Sequence, residues 1–171
     1  MENIGIISDT HGILDPRAYA ALADCDLIIH AGDICGPEIL RELETLAPVI
    51  AVRGNCDFDE YGPDVGLCAK PVIDGVRFLI AHFPEDVQLR GFSARVMAPG
   101  EPYPQVCIHG HTHIPKVLKG GFASPADLVL CPGSATRPLG ESVRSIGRII
   151  LEDGRVKDAW VESLTGEVLL R

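Results

Sequence analysis

Positive charge is scarce in this chain, and the scarcity narrows what the chain does. Fifteen Lys and Arg stand against 24 Asp and Glu, a formal net charge of −9, and the basic residues are scattered. A general nucleic-acid binder or a protein seated on an anionic membrane needs clustered Lys and Arg to displace counterions, so neither class is expected. Equally missing is any run of the roughly 20 apolar residues that a membrane-crossing helix requires. The six cysteines, at 25, 35, 56, 68, 107 and 131, include no CxxC pair and lie mostly in apolar segments. They read as reduced packing residues, which suits a cytoplasmic protein. The opening Met1-Glu2-Asn3-Ile4-Gly5-Ile6 has neither a basic stretch nor a long apolar core, so no signal peptide is expected. No repeat, low-complexity tract or linker divides the chain.

What is present fits one domain, residues 1–171, with 46% hydrophobic residues to build a core. Asn3 to Ser8 is an isoleucine-rich run, followed by a polar turn and by good helix formers behind Pro16, through Ala23. Leu27 to Ala31 repeats the buried-strand pattern, Pro37 opens a periodic helix through Leu46, and Val49 to Val52 forms a third strand. Three strands with two intervening helices predict parallel βαβ units, whose chemistry collects at the carboxyl ends of the strands.

From Val76 onward the pattern turns strand-rich, with strands at 76–81, 106–109, around Lys116, and at 128–131, 145–151 and 156–163. Asp153-Gly154 between the last two is a hairpin signal. These strands are expected to form an antiparallel sheet packed on the first. A short helix is expected within 86–97, ahead of a proline-rich surface loop.

Metal-ligand residue types recur where the strands end: Asp9-Thr10-His11, Gly32-Asp33, Gly54-Asn55, His82 and Gly110-His111-Thr112-His113. Taken singly, Asp-Thr-His-Gly reads as a turn with a helix cap, Gly-Asp as loop, and a lone histidine as a hydrogen-bonded core residue. His30, inside its strand, is read as such a core residue. Two imidazoles flanking one residue after an apolar strand have few purely structural uses. Together, Asp9, His11, Asp33, Asn55, His82, His111 and His113 are too many ligands for one ion and suit two. Carboxylate, imidazole and amide donors favour borderline divalent ions such as Mn²⁺, Fe²⁺, Ni²⁺ or Zn²⁺. Asp57 is read as a turn cap or a support for a ligand, and Cys56 as a packing or supporting residue without a companion base.

The combination Asp-x-His, Gly-Asp, Gly-Asn, His and Gly-His-x-His resembles the calcineurin-like metallophosphoesterase superfamily, in particular its small single-domain prokaryotic phosphodiesterases. Ser8-Asp9-Thr10-His11-Gly12, Arg53-Gly54-Asn55-Cys56-Asp57 and Pro132-Gly133-Ser134 carry the likeness across nearly the whole chain. The resemblance implies an α/β fold, a four-layer α/β/β/α sandwich of two mixed sheets flanked by helices. It also implies two divalent transition-metal ions, Mn²⁺ first among the alternatives Ni²⁺, Fe²⁺ and Zn²⁺. Asp9, His11, Asp33 and His113 would hold one ion, and Asp33, Asn55, His82 and His111 the other, with Asp33 bridging. Two departures are His82-Phe83-Pro84 where relatives often have His-Gly-His, and Cys131 where the late loop often has Asn. Cys56 also stands where some relatives carry a histidine that acts as leaving-group acid.

The implied activity is hydrolysis of a small phosphodiester by a hydroxide bridging two ions, with Asn55 and His82 as catalytic residues and Asn55 contacting the phosphate. Arg53 and Arg137 are candidate phosphate contacts, against a solvated or structural reading. The alternatives are a phosphomonoesterase with the same site, or a protein-interaction scaffold of the same fold. The expected assembly is a homodimer.

Overall fold

The computed structural model describes residues 1–58, 61–89 and 96–171. Its first half follows the expected alternation: β1 (Glu2–Ile7), α1 (Pro16–Ala21), β2 (Leu27–His30), α2 (Pro37–Leu43) and β3 (Val49–Ala51). Strand β2 runs parallel to both β1 and β3. Each helix opens on proline, whose missing N–H would have no partner there in any case. Asp15 caps α1 by accepting the Arg17 backbone N–H at 2.9 Å. Both helices stop short of the periodic pattern. After α1 the chain is pulled back to the sheet, because the Asp26 N–H donates to the Asn3 carbonyl and the Asp26 carboxylate accepts the Asn3 N–H, each at 2.8 Å.

The remaining strands are β4 (Cys68–Ala69), β5 (Val72–Ile73), β6 (Val76–Ala81), β7 (Val106–Ile108), β8 (Lys116–Lys119), β9 (Leu128–Cys131), β10 (Ser145–Glu152), β11 (Arg155–Ser163) and β12 (Val168–Leu170). They correct the expectation of one antiparallel sheet. Strands β10, β11 and β12 extend the first sheet in the order β12-β11-β10-β1-β2-β3, with β10 antiparallel to β1. The second sheet runs β4-β6-β7-β9-β8, with β5 paired to β6. Its β6, β7 and β9 are mutually parallel, because the connections between them are long enough for crossovers. The Asp153-Gly154 hairpin is as predicted: both residues have positive φ, 52° and 72°, as a type I′ turn requires.

Alternation along β1 divides the core. Ile4 and Ile6 pack between the sheets against Phe78, Ile80, Ile108 and Leu130. Ile7, with Ile28 of β2, packs beneath the helices against Leu22, Ile39 and Leu43. Each such buried side chain contributes about 1.5–3 kcal/mol. The result is a sandwich of two mixed sheets with α1 and α2 on one outer face. On the other, Leu79, Ala81 and Cys107 lie under Val87, Leu89, Val96 and Met97. A 3₁₀ turn stands at Pro84–Asp86, and residues 87–89 are not helical; residues 90–95 of the helix expected within 86–97 lie outside the described residues.

Candidate active site

Strands β1, β2, β3, β6 and β7 release their chains at one edge of the sandwich, where backbone bonds lash the loops together. The Asp9 N–H donates to the Gly32 carbonyl, His11 N–H to Asp33 and Gly110 N–H to His82, each at 3.0 Å, and Gly12 N–H to Ile34 at 2.8 Å. Six side-chain-bearing residues of these loops lie in the left-handed region: Asp9 (φ 55°), His11 (48°), Asp33 (53°), Cys35 (60°), His111 (66°) and His113 (58°). Non-glycine residues occupy that region at a cost of order 1–3 kcal/mol each and concentrate at functional sites.

All seven residues singled out in the sequence meet there. His113 Nε2 lies 3.1 Å from Asp9 Oδ1 and 3.3 Å from His11 Nε2. His11 Nε2 lies 3.9 Å from Asp33 Oδ2, and His82 Nε2 lies 3.5 Å from Asp33 Oδ1. Asn55 Oδ1 sits 3.2 Å from His82 Nε2 and 3.0 Å from His111 Nδ1. Asp33 therefore joins two half-sites, one oxygen toward each. Asp9 and Asp33 are buried, as is His82, whereas Asn55 and His111 are exposed at the mouth.

The imidazole protons are committed elsewhere. His82 Nδ1 donates to the Ala31 carbonyl at 2.8 Å and His113 Nδ1 to the Arg137 carbonyl at 2.6 Å. In the neutral ring each Nε2 is then a bare lone pair, and each faces oxygens that are themselves acceptors. Asp9 Oδ2 accepts from Ser8 Oγ at 2.6 Å and the His111 N–H at 3.2 Å, while Asp9 Oδ1 is buried with no hydrogen-bond partner among the described residues. Burial raises the Asp9 carboxyl pKa, against the Ser8 hydrogen bond and the fields of His82 and His113. Burial likewise lowers His11, against Asp33 and Asp9. Electron-rich atoms that converge without a proton between them fit a cation. Asp9, His11 and His113, and again Asp9, Asp33 and His82, each bring ligand atoms within 4.8 Å of one another.

Two glycines are required by this packing. A Cβ on Gly54 would stand 2.1 Å from Asp33 Oδ1, and one on Gly110 would stand 2.1 Å from Ser8 Oγ and 2.8 Å from the Ala31 carbonyl oxygen. Asp57, read from the sequence as a cap or support, is the hub beneath. It accepts the N–H groups of Ile34, Cys35 and Gly54 and the Tyr61 hydroxyl. Burial alone would raise its pKa, but those donors outweigh it and the net shift is downward. The Cys56 N–H donates to Asp33 Oδ1 at 2.8 Å.

Sequence reasoning passed over the far wall. The hydroxyls of Ser134 and Thr136 both donate to the Asp9 carbonyl at 2.9 Å, which ties the loop after β9 to the end of β1. The Pro132-Gly133-Ser134 motif pointed at the loop but not at this bond. Cys35 corrects the packing expectation: it is half-buried at the site, with Sγ 3.8 Å from His11 Nδ1, while Cys56 is exposed and takes the supporting role. Burial raises both thiols, Cys35 to about 12. Cys25, Cys107 and Cys131 are buried, as expected. His30 is a core residue; burial pushes its pKa down to about 4, and its Nε2 lies 3.0 Å from Thr10 Oγ1. Phe83, at the departure from His-Gly-His, packs on His111 and His82 with ring centroids 4.7 and 5.3 Å away. Arg137 is exposed, and its field reaches His11. Arg53 is half-buried, its N–H donating to the Gly66 carbonyl at 2.8 Å.

The calcineurin-like phosphoesterase superfamily domain matches residues 2–154. A probable metallophosphoesterase of Methanothermobacter thermautotrophicus is 39% identical over 79% of this chain and 78% of its own. The probable metallophosphoesterase YsnB of Bacillus subtilis is 31% identical over 97% and 94%. Among solved structures, a novel archaeal phosphodiesterase superposes with TM-score 0.66 at 26% identity, over 94% of this chain and 99% of that one. The phosphoesterase YfcE of E. coli does so with TM-score 0.71 at 22% identity, over 98% and 96%. Zinc-complexed Vps29 of Entamoeba histolytica shares the fold with TM-score 0.67 at 20% identity, over 94% and 97%. With its two mixed sheets and its cluster of ligand side chains at the strand ends, the chain belongs to the calcineurin-like phosphoesterase superfamily.

Proposed function

We propose that the protein hydrolyses small phosphodiesters with the help of two divalent ions. Asp9, His11, Asp33 and His113 would hold one ion, and Asp33, Asn55, His82 and His111 the other. The observation that carries this reading is the facing of lone pairs: His113 Nε2 against Asp9 Oδ1, and His82 Nε2 against Asn55 Oδ1 and Asp33 Oδ1. Such contacts repel unless a cation lies between them. When bound, a pair of such ions supplies Lewis acidity for a phosphoryl oxygen and a nucleophile at neutral pH from water, so no protein nucleophile is needed. Mn²⁺ heads the candidates, with Ni²⁺, Fe²⁺ or Zn²⁺ as alternatives, because the donors are nitrogen and oxygen.

The chain's own groups orient the ester. Asn55 turns Oδ1 inward to His82 and His111, which leaves Nδ2, 3.4 Å from Cys56 Sγ, to donate to a phosphate oxygen. Arg137 adds a positive field at the His11 side. A single exposed arginine suits the one negative charge of a diester better than the two of a monoester, and the likeness to an archaeal phosphodiesterase points the same way. Ile13, Phe58, Ile114 and Leu139 are exposed on the loops that carry the site, so the favoured ester bears an apolar or aryl group.

Metal analysis joined to one substitution tests the reading. Two ions per wild-type chain, with both occupancy and turnover lost in Asp33→Ala, is the expected result. Turnover retained by a metal-replete Asp33→Ala sample would sink the bridging role.

A further inference from the structure

Cys35 and Cys56 arrive at the site from different strands and meet around the second nitrogen of His11. Cys35 Sγ, Cys56 Sγ and an imidazole nitrogen of His11 all lie within 4.8 Å of one another. The Cys35 Sγ to His11 Nδ1 separation is 3.8 Å. A tetrahedral zinc with Zn–S near 2.3 Å and Zn–N near 2.05 Å would set those two atoms about 3.6 Å apart, so the pair is spaced almost as an ion would require. Cys35 is held in place by its own backbone: φ is 60°, in the left-handed region, and its N–H is anchored on Asp57 at 2.8 Å. Cys56 is exposed, which gives an ion a way in.

We propose that Cys35, Cys56 and His11 Nδ1 form a third metal site that takes a thiophilic divalent ion such as Zn²⁺ or Cd²⁺, with solvent as fourth ligand. The carboxylate next to it, Asp57, is taken up by Ile34, Cys35, Gly54 and Tyr61, and so does not join the set. Two sulfurs and one nitrogen make this site soft, whereas the proposed dinuclear centre has only oxygen and nitrogen donors. On loading, each thiol loses its proton to solvent as its metal–sulfur bond forms. The His11 ring, with one proton to place, offers one lone pair at a time. A thiophilic ion on Nδ1 therefore leaves that proton on Nε2, the nitrogen facing His113 and Asp33. Excess thiophilic metal should accordingly inhibit; this consequence, unlike the site itself, rests on the proposed function.

Cobalt reports the two kinds of site separately. Metal-stripped, reduced protein is titrated with Co²⁺ while the visible ligand-field bands, which nitrogen and oxygen ligands give, and the near-ultraviolet thiolate charge-transfer band are followed together. The site predicts a charge-transfer band in the wild type that disappears in Cys35→Ser and in Cys56→Ser while the visible bands of the dinuclear centre remain. It also predicts at least a tenfold loss of Cd²⁺ affinity in each variant. A wild type that saturates its visible bands without any charge-transfer band, or a band that survives both substitutions, would overturn the proposal.

Discussion

His11 and His113 point their Nε2 atoms at each other across 3.3 Å, from loops 102 residues apart in sequence. His113 donates its Nδ1 proton to the Arg137 carbonyl, so its Nε2 is a lone pair, and that lone pair also lies 3.1 Å from Asp9 Oδ1. With the Asp9 and Asp33 carboxylates alongside, the edge of the sandwich stores repulsion that a cation would relieve.

Metal removal should therefore lower stability as well as activity. An ion at 100 times its dissociation constant stabilises the folded state by about 2.7 kcal/mol, which for a domain of this size is roughly 5–10 °C in melting temperature. Calorimetry of stripped protein with and without Mn²⁺ or Zn²⁺ measures this. Identical melting curves would contradict a preformed cation site.

Gly54→Ala should cost metal affinity while the sheets stay intact. The new methyl would meet Asp33 Oδ1 at 2.1 Å and the Asp33 backbone nitrogen at 2.5 Å, so the carboxylate must move. Displacing a support of this kind typically loses 10–100-fold in metal affinity or activity. Titration of the variant with Mn²⁺, followed by turnover, gives the number; wild-type affinity would show that the Asp33 position is not critical.

Acid should act through Asp15, the cap of α1. Hydrogen bonds from the Arg17 side chain and backbone hold this carboxyl well below its ordinary 3.8, and Arg144 adds to them. Its folded-state pKa is the lower one, so its contribution is fully present above the unfolded value and is lost as pH falls through the folded one. Replacing this cap by alanine should cost about 1 kcal/mol at neutral pH. Urea unfolding of wild type and Asp15→Ala should show a gap that narrows only below the ordinary carboxylate range; a gap independent of pH would contradict the ionic cap.

Leaving-group acidity should control the rate. Cys56, next to Asn55, is exposed, yet desolvation still holds its thiol above the ordinary value, so it stays protonated at neutral pH and is a poor acid. Esters of acidic phenols should turn over far faster than those of alkyl alcohols, with a steep dependence of kcat/KM on leaving-group pKa. A flat dependence would reveal a proton donor elsewhere in the site.

Much of this was legible in the chain because strand ends announce themselves. Apolar runs that stop at Asp9, Asp33, Asn55, His82 and His111 place those residues at one edge once the strands lie side by side, and the structure brings all seven candidates together there. Strand partnership was less legible. Periodicity tells which face of β10 is buried but not that it pairs with β1, a contact between residues more than 140 positions apart. The left-handed backbone at Asp9 and His11 leaves no compositional mark because neither residue is glycine. Nor do the hydroxyls of Ser134 and Thr136 reveal, one residue type among many, that they end on the Asp9 carbonyl. Absence of a CxxC pair says nothing about thiols that the fold brings together, so the convergence of Cys35 and Cys56 was not legible, although a supporting role for Cys56 was.

The most direct test is hydrolysis of an aryl phosphodiester and its monoester analogue by metal-stripped protein, with Mn²⁺, Ni²⁺, Zn²⁺ or Mg²⁺ returned separately. The account predicts no turnover without metal, diester cleavage restored by at least one transition-metal ion in preference to the monoester, and its loss in His111→Ala. Absence of turnover with every ion, in protein that binds two ions per chain, would contradict it.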